Sequence, residues 1–195
     1  MRRACTQLLP SDLVLENGSV LVIDAAQKVF YSSRTTDELI ALLRSRRRLE
    51  GKVVPVTNAE KLPARLARWG INPRPLEELQ WLTGLVTGAG ESLGGWNPHE
   101  PVRLARWPDF AKLPYRQAHL QMAAMLTTDG ILPGKLAEAC GVAAGDAADF
   151  LNACAEIGIL ESKAAPASTS AGDIRATTMN IWRGVAGSFK REPGR

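Results

Sequence analysis

The chain has 195 residues with 45% hydrophobic and 23% charged residues and a mean hydropathy of -0.10, which excludes whole-chain disorder, collagen and coiled coil. No apolar run approaches the roughly 20 residues that a bilayer-spanning helix needs, and past Met1-Arg2-Arg3 no apolar stretch with a small-residue cleavage site marks a secretory leader. The net charge of +4 invites a nucleic-acid reading, but the basic excess lies at the two ends, and residues 71–163 are mildly acidic.

Residues 1–70 read as a small mixed α/β domain. Strands are expected across 12–32, with turns at Asn17-Gly18 and Asp24–Gln27. A helix opens at Asp37-Glu38, carries Leu39, Ile40, Leu42 and Leu43 on its apolar face, and ends in Arg44, Arg46, Arg47 and Arg48. Acidic residues at its start and basic ones at its finish suit the helix dipole. Gly51 stops it, a strand follows over 52–56, and a second helix runs from a cap at Asn58 to Trp69 and Gly70. The Arg44–Arg48 run is the most concentrated charge in the chain. It reads either as a solvated helix end or as a patch for a nucleotide, nucleic acid or acidic partner.

Residues 71–110 read as a Trp-, Gly- and Pro-rich connector holding one helix at 76–86, with Leu76, Leu79, Leu82 and Leu85 or Val86 inward. Trp69, Trp81, Trp96 and Trp107 fall in or beside it, a density expected to pack a junction between domains. Thr83-Gly84 through Gly88 and Gly90 matches the glycine spelling of the short-chain dehydrogenase dinucleotide turn. That chemistry needs a strand running into the turn, whereas here the glycines follow a helix and no Tyr-x-x-x-Lys lies downstream.

Residues 111–163 carry the clearest pattern. Helices are expected over 116–127, with Leu120, Met122, Ala123 and Leu126 inward, over 133–142, ended by Gly141, and over 146–157, ended by Gly158. A strand begins at Ile159-Leu160-Glu161. Leu136-Ala137, Gly141-Val142, Phe150-Leu151 and Ile157-Gly158-Ile159-Leu160 together resemble a winged helix-turn-helix, which implies a three-helix fold closed by a wing. A DNA reader presents Arg, Lys, Asn or Gln from its second helix. Here that helix offers Asp146, Asp149, Asn152 and Glu156 and no basic residue, so a polyanion would be repelled. Asp146 and Asp149 are therefore read as protein-docking residues.

Residues 164–172 form a small-residue linker, and 173–195 a basic amphipathic helix whose stripe includes Ile174, Ile181, Trp182, Val185 and Phe189. Such a stripe is expected to meet a protein groove first, its own body second and an anionic membrane third. His99 and His119 have no partner at a metal-ligand spacing, and Cys5, Cys140 and Cys154 form no CxxC pair. No catalytic residue, metal or cofactor is expected. The whole reads as an α+β chain: a small N-terminal mixed α/β domain, a winged-helix-like C-terminal domain and a tail helix. Its expected function is that of a non-catalytic cytoplasmic adaptor or regulatory protein with a protein partner. The alternatives are a DNA-binding transcriptional regulator and, third, an enzyme with an unrecognised site.

Overall fold

A computed structural model describes residues 11–15, 20–44, 51–55, 61–128 and 130–162. Arg46, Arg47 and Arg48, the cap expected at Asn58, the linker and the whole tail stripe from Ile174 to Phe189 lie outside the described residues. Within them the protein is a mixed α+β fold of six helices and two small antiparallel sheets.

The larger sheet has the order β4-β1-β2-β3-β5 and is antiparallel throughout. Its strands are β1 (Ser11–Leu15), β2 (Val20–Asp24), β3 (Val29–Ser32), β4 (Gly51–Pro55) and β5 (Pro73–Pro75). The β2–β3 turn is tied by the Gln27 N–H, which donates to Asp24 Oδ1 at 3.0 Å, the local bond that makes aspartate a turn residue. Alternation along β2 and β3 sends residues to two faces. Leu21 and Phe30 join Leu39 of helix α1 (Thr36–Arg44) and Leu76, Leu79 and Leu82 of helix α3 (Leu76–Thr87). Val22 and Tyr31 meet Leu62 and Leu66 of the short helix α2 (Leu62–Ala67), with Ile71 beside them.

Two details of this half were hidden from the sequence reading. The first helix is capped by Thr35, not opened by Asp37. The Thr35 backbone N–H donates to Glu38 Oε2 at 2.8 Å, and the Glu38 N–H returns a bond to Thr35 Oγ1 at 3.3 Å. This is the reciprocal cap that the spelling Thr-x-x-Glu encodes, and the Thr35 N–H donating to it holds the exposed Glu38 carboxyl below its usual range. The second detail is β5. Three residues with two prolines do not read as a strand, but proline is tolerated on an edge, and β5 is the edge beyond β3.

The remaining elements are β6 (Val102–Leu104), α4 (Gln117–Leu126), α5 (Pro133–Cys140), α6 (Ala144–Glu156) and β7 (Leu160–Ser162). All three expected helices are present, and α6 starts two residues earlier than its expected Asp146. Gly141 (φ 63°) and Gly158 (φ 68°) close α5 and α6 in the left-handed conformation that glycine adopts without strain. The inward stripe of α4 is His119, Met122, Ala123 and Leu126, all buried, and not the expected Leu120. Periodicity supports the observed set, but a histidine in its first position hid the register. β7 pairs with β6, a strand upstream of all three helices, and Val102 of β6 also bridges to Ile131.

The segment read as a connector thus supplies β6 and the most buried helix. α3 packs against α1, β3 and β5 on one side and against α6 on the other. A helix buried on nearly all sides is a core element, not a surface amphipath. The four tryptophans do not form one cluster. Trp81 and Trp96 are buried in the core around α6, whereas Trp69, beside Arg65, and Trp107 are exposed.

Candidate functional site

The glycines that spell a dinucleotide turn serve helix packing here. A Cβ on Gly84 would stand 2.4 Å from Ala153 Cα, so only glycine lets α3 and α6 cross this closely. A Cβ on Gly88 would stand 2.3 Å from Asn152 Nδ2, and one on Gly90 would stand 3.0 Å from Gly145 Cα. The loop that follows α3 is then held by side chains of α6. Asn152, almost fully buried, accepts from the Leu93 N–H (3.0 Å) and Trp96 Nε1–H (2.9 Å), and donates to Glu91 O (2.8 Å). Asp149 Oδ1 accepts from the Gly90 N–H at 2.9 Å. A Gly-rich loop whose N–H groups are engaged by protein carbonyls and carboxylates has no cradle left for a pyrophosphate.

Beside this crossing lies a cleft of about 170 Å³, between α1, α3, α6 and the segment leading into α4. Ile40, Leu82, Leu85 and Val86 give it an apolar floor, and Arg44, Tyr115, Arg116, His119, Asp146 and Asp149 line it with polar groups. The fold positions each one. Arg44 ends α1, where the dipole favours a cation, and Asp146 lies in the first turn of α6, where it favours an anion. Tyr115 and Arg116 precede α4, held by Trp81, whose Nε1–H donates to Pro114 O at 2.8 Å. His119 stands in the first turn of α4 with its ring 5.3 Å from Phe150 and 6.0 Å from Trp81.

His119 Nδ1 accepts the Arg116 backbone N–H at 3.3 Å, which leaves the proton of the neutral ring on Nε2. Burial pushes its pKa down to about 4, with the Arg116 charge in support and Asp146 opposing. At neutral pH the ring is uncharged, its basic nitrogen already used. Burial raises the Asp149 carboxyl, against the Gly90 N–H that it accepts, with Asp146 adding repulsion and Arg44 offsetting it. Asp149 thus feels Asp146 and Arg44, and His119 feels Arg116 and Asp146. Even so, none of Arg44, Arg116, Asp146 and Asp149 has an ion-pair partner within 4.0 Å among the described residues.

The cleft continues into an aromatic ridge. Phe110 lies 5.1 Å from Tyr115 and 6.0 Å from Trp107, ring centre to ring centre. Its two outer members are 52% (Tyr115) and 45% (Trp107) exposed. Of the residues singled out in the sequence, the structure brings together Arg44, Asp146 and Asp149. Asp146 and Arg44 are exposed, while Asp149 is half-buried and engaged by the loop. Tyr115 and Arg116 join the site unannounced, and His119 and Trp107 join it in a place not expected of them, because no linear spacing connects residue 44 with 107–119 and 146–149.

The remaining titratable groups are elsewhere. His99 is exposed in a turn, its N–H donating to Asn97 Oδ1 at 3.0 Å. Cys140 and Cys154 are free thiols, and burial raises both pKa values, so neither is primed as a nucleophile. Among the described residues no group of three or more His, Cys, Asp or Glu side chains could hold a metal ion, and no helix is long and apolar enough to cross a membrane. Compared with protein-family models, with curated proteins and with solved structures, the chain matches none.

Proposed function

We propose that this protein is a cytoplasmic adaptor or regulatory protein that works by binding protein, and that the cleft with its aromatic ridge is the docking face. The observation that carries this reading is the cleft itself: an apolar floor, exposed Tyr115 and Trp107, and charges of both signs that close no ion pair among the described residues. Exposed aromatic and arginine side chains around an apolar centre are the composition of binding hot spots. Asp146 takes the docking role expected of it, and Asp149 a supporting one through Gly90. The tail stripe with Trp182 is a second docking element on sequence grounds.

The position of α6 weighs against a DNA-binding regulator. A reader would lay this helix in the major groove. Here Ala147, Ala148 and Phe150 to Cys154 are buried, with α3 crossing at Gly84 and Ala153. The exposed carboxylate at its N-terminus would meet phosphates unfavourably.

The test is site-directed photo-crosslinking in the cells that make the protein, with a photoreactive residue in place of Tyr115 and, as a control, of the exposed Lys135 on α5. The expected result is a discrete protein adduct at position 115 and none at 135. Equal or absent adducts would overturn the docking face. Salt-sensitive binding of the full chain to duplex DNA would favour the alternative.

A further inference from the structure

We propose that residues 173–195 of this chain cover its own cleft, the apolar stripe of the tail seated on the Trp107–Phe110–Tyr115 ridge, so that a partner reaches the docking face only by displacing them. This rests on the reading of the cleft as a protein-docking surface and names what occupies it before a partner does. The cleft offers an apolar floor of Ile40, Leu82, Leu85 and Val86, continued by Phe110 and the exposed rings of Tyr115 and Trp107. A surface of that composition takes the apolar face of an amphipathic helix. The tail supplies one in its sequence: Ile174, Ile181, Trp182, Val185 and Phe189 recur at helical spacing.

Reach and charge single out this segment as the occupant. The described chain ends at Ser162, which pairs with Val102 of β6. Paired strand residues stand about 5 Å apart and the five residues from Val102 to Trp107 span about 18 Å at most, which puts Ser162 within about 23 Å of the ridge. The ten residues 163–172 can extend to about 33 Å, so the stripe arrives with length to spare. From Trp107 the rings lead to Tyr115 in two steps of 6.0 and 5.1 Å. A helix over 174–189 would be about 24 Å long, enough to lie over ridge and cleft together. Residues 164–195 carry five Lys and Arg against two Asp and Glu, whereas 71–163, which hold the ridge and most of the cleft, carry seven against eleven. The two segments therefore attract. Being part of the same chain, the tail is present at about millimolar effective concentration, and a contact too weak to hold a separate protein suffices to close the cleft.

The experiment is photo-crosslinking of the purified, dilute full chain with the photoreactive residue at position 115, the joined peptides being identified by mass spectrometry. Position 115 should join a peptide within 173–195, in an adduct of single-chain mass, and the control at position 135 should not. Trp182→Ala with Phe189→Ala should lower that yield about fivefold or more, since aromatic anchors carry most of such a contact, and should raise the capture of other polypeptides at position 115 in cells. Val185→Asp, a gentler change to the same stripe, should act in the same direction, and circular dichroism checks that the fold is kept in both. The cover is overturned by the absence of a tail adduct, by a yield that the variants leave unchanged, by equal capture at position 135, or by a tail adduct of twice the chain mass. A chain that joins no tail peptide but still captures a partner in cells has a docking face without a cover. One that captures neither has lost both.

Discussion

On its sheet side, α3 meets β3, β5 and α1 through Leu76, Leu79 and Leu82, and the contact is locked by a polar node. Arg74 lies over the Phe30 ring, 4.9 Å from its centre, pairs with Glu78 one turn on, and donates to Thr36 Oγ1 at 2.7 Å and Arg34 O at 3.4 Å. On its other side, α3 meets α6 backbone to backbone, with Gly84 on Ala153 and Asn152 fastening the loop beyond. The sheet side uses long side chains that can shift by a fraction of an ångström. The helix side uses absent side chains and has no such slack. One helix shared by two cores also couples them, so neither half should unfold alone.

The helix side should therefore be the more fragile. Gly84→Val places a branched side chain where even a Cβ would stand 2.4 Å from the backbone of α6. Because backbone cannot step aside as a side chain does, the loss should be about 4 kcal/mol or more, read as a fall in the urea midpoint. The coupling is tested in the same melt. Tryptophan fluorescence, weighted to Trp81 and Trp96, and far-UV dichroism, which also follows the sheet, should give one coincident transition. A sheet that survives the loss of α6 would break the comparison.

Next in size is Asn152→Ala. It strands the buried Trp96 Nε1–H and takes away the partner of the half-buried Leu93 N–H and Glu91 carbonyl, a loss of about 3 kcal/mol together. Hydrogen exchange should quicken first across 88–96. Arg74→Met keeps the apolar stem but leaves Glu78 without its cation. At the partial exposure of this pair the cost should be about 2 kcal/mol. Adding Glu78→Leu should return part of that loss, since removing both charges is cheaper than orphaning one. A double variant weaker than the single would show that Arg74 acts through Thr36 and Arg34 instead.

These contrasts also show which parts of the structure the sequence could reveal. The three helices around Gly141 and Gly158 were readable because their stops are local. The Thr35–Glu38 cap was equally local and was missed only because Asp37 looked like the start. Arg74 and Glu78 stand at i and i+4, but their third partner, Thr36, is 38 residues from Arg74, and no periodicity reports it. The Gly84, Gly88 and Gly90 spacing was visible, but its meaning lies in Ala153, Asn152 and Gly145 on another helix. β5 and β6 escaped because three-residue strands are defined by their partners. The cleft escaped for the same reason, being assembled from α1, α3, α6 and the approach to α4.

The smallest expected effect comes from His119, which lies where the helix core meets the cleft. Its folded pKa, about 4, is below the 6.5 of an unperturbed histidine. As pH falls through about 6.5 the unfolded chain takes up a proton that the folded ring refuses, so stability is full above that pH and drains toward about 4. Between pH 7 and pH 5.5 the loss should be about 1 kcal/mol. Burial raises the carboxyls of Asp149 and Glu156, so they act in the opposite sense: acid protonates them more readily in the folded state. The informative quantity is therefore a difference between two proteins. His119→Gln cannot titrate, and its stability should fall less over this window than that of the wild type by that same amount. Arg116 and Asp146 set the local field in both proteins and cancel. Parallel pH profiles for the two would mean that His119 is open to water in solution, and that the wall of the cleft it forms is not closed.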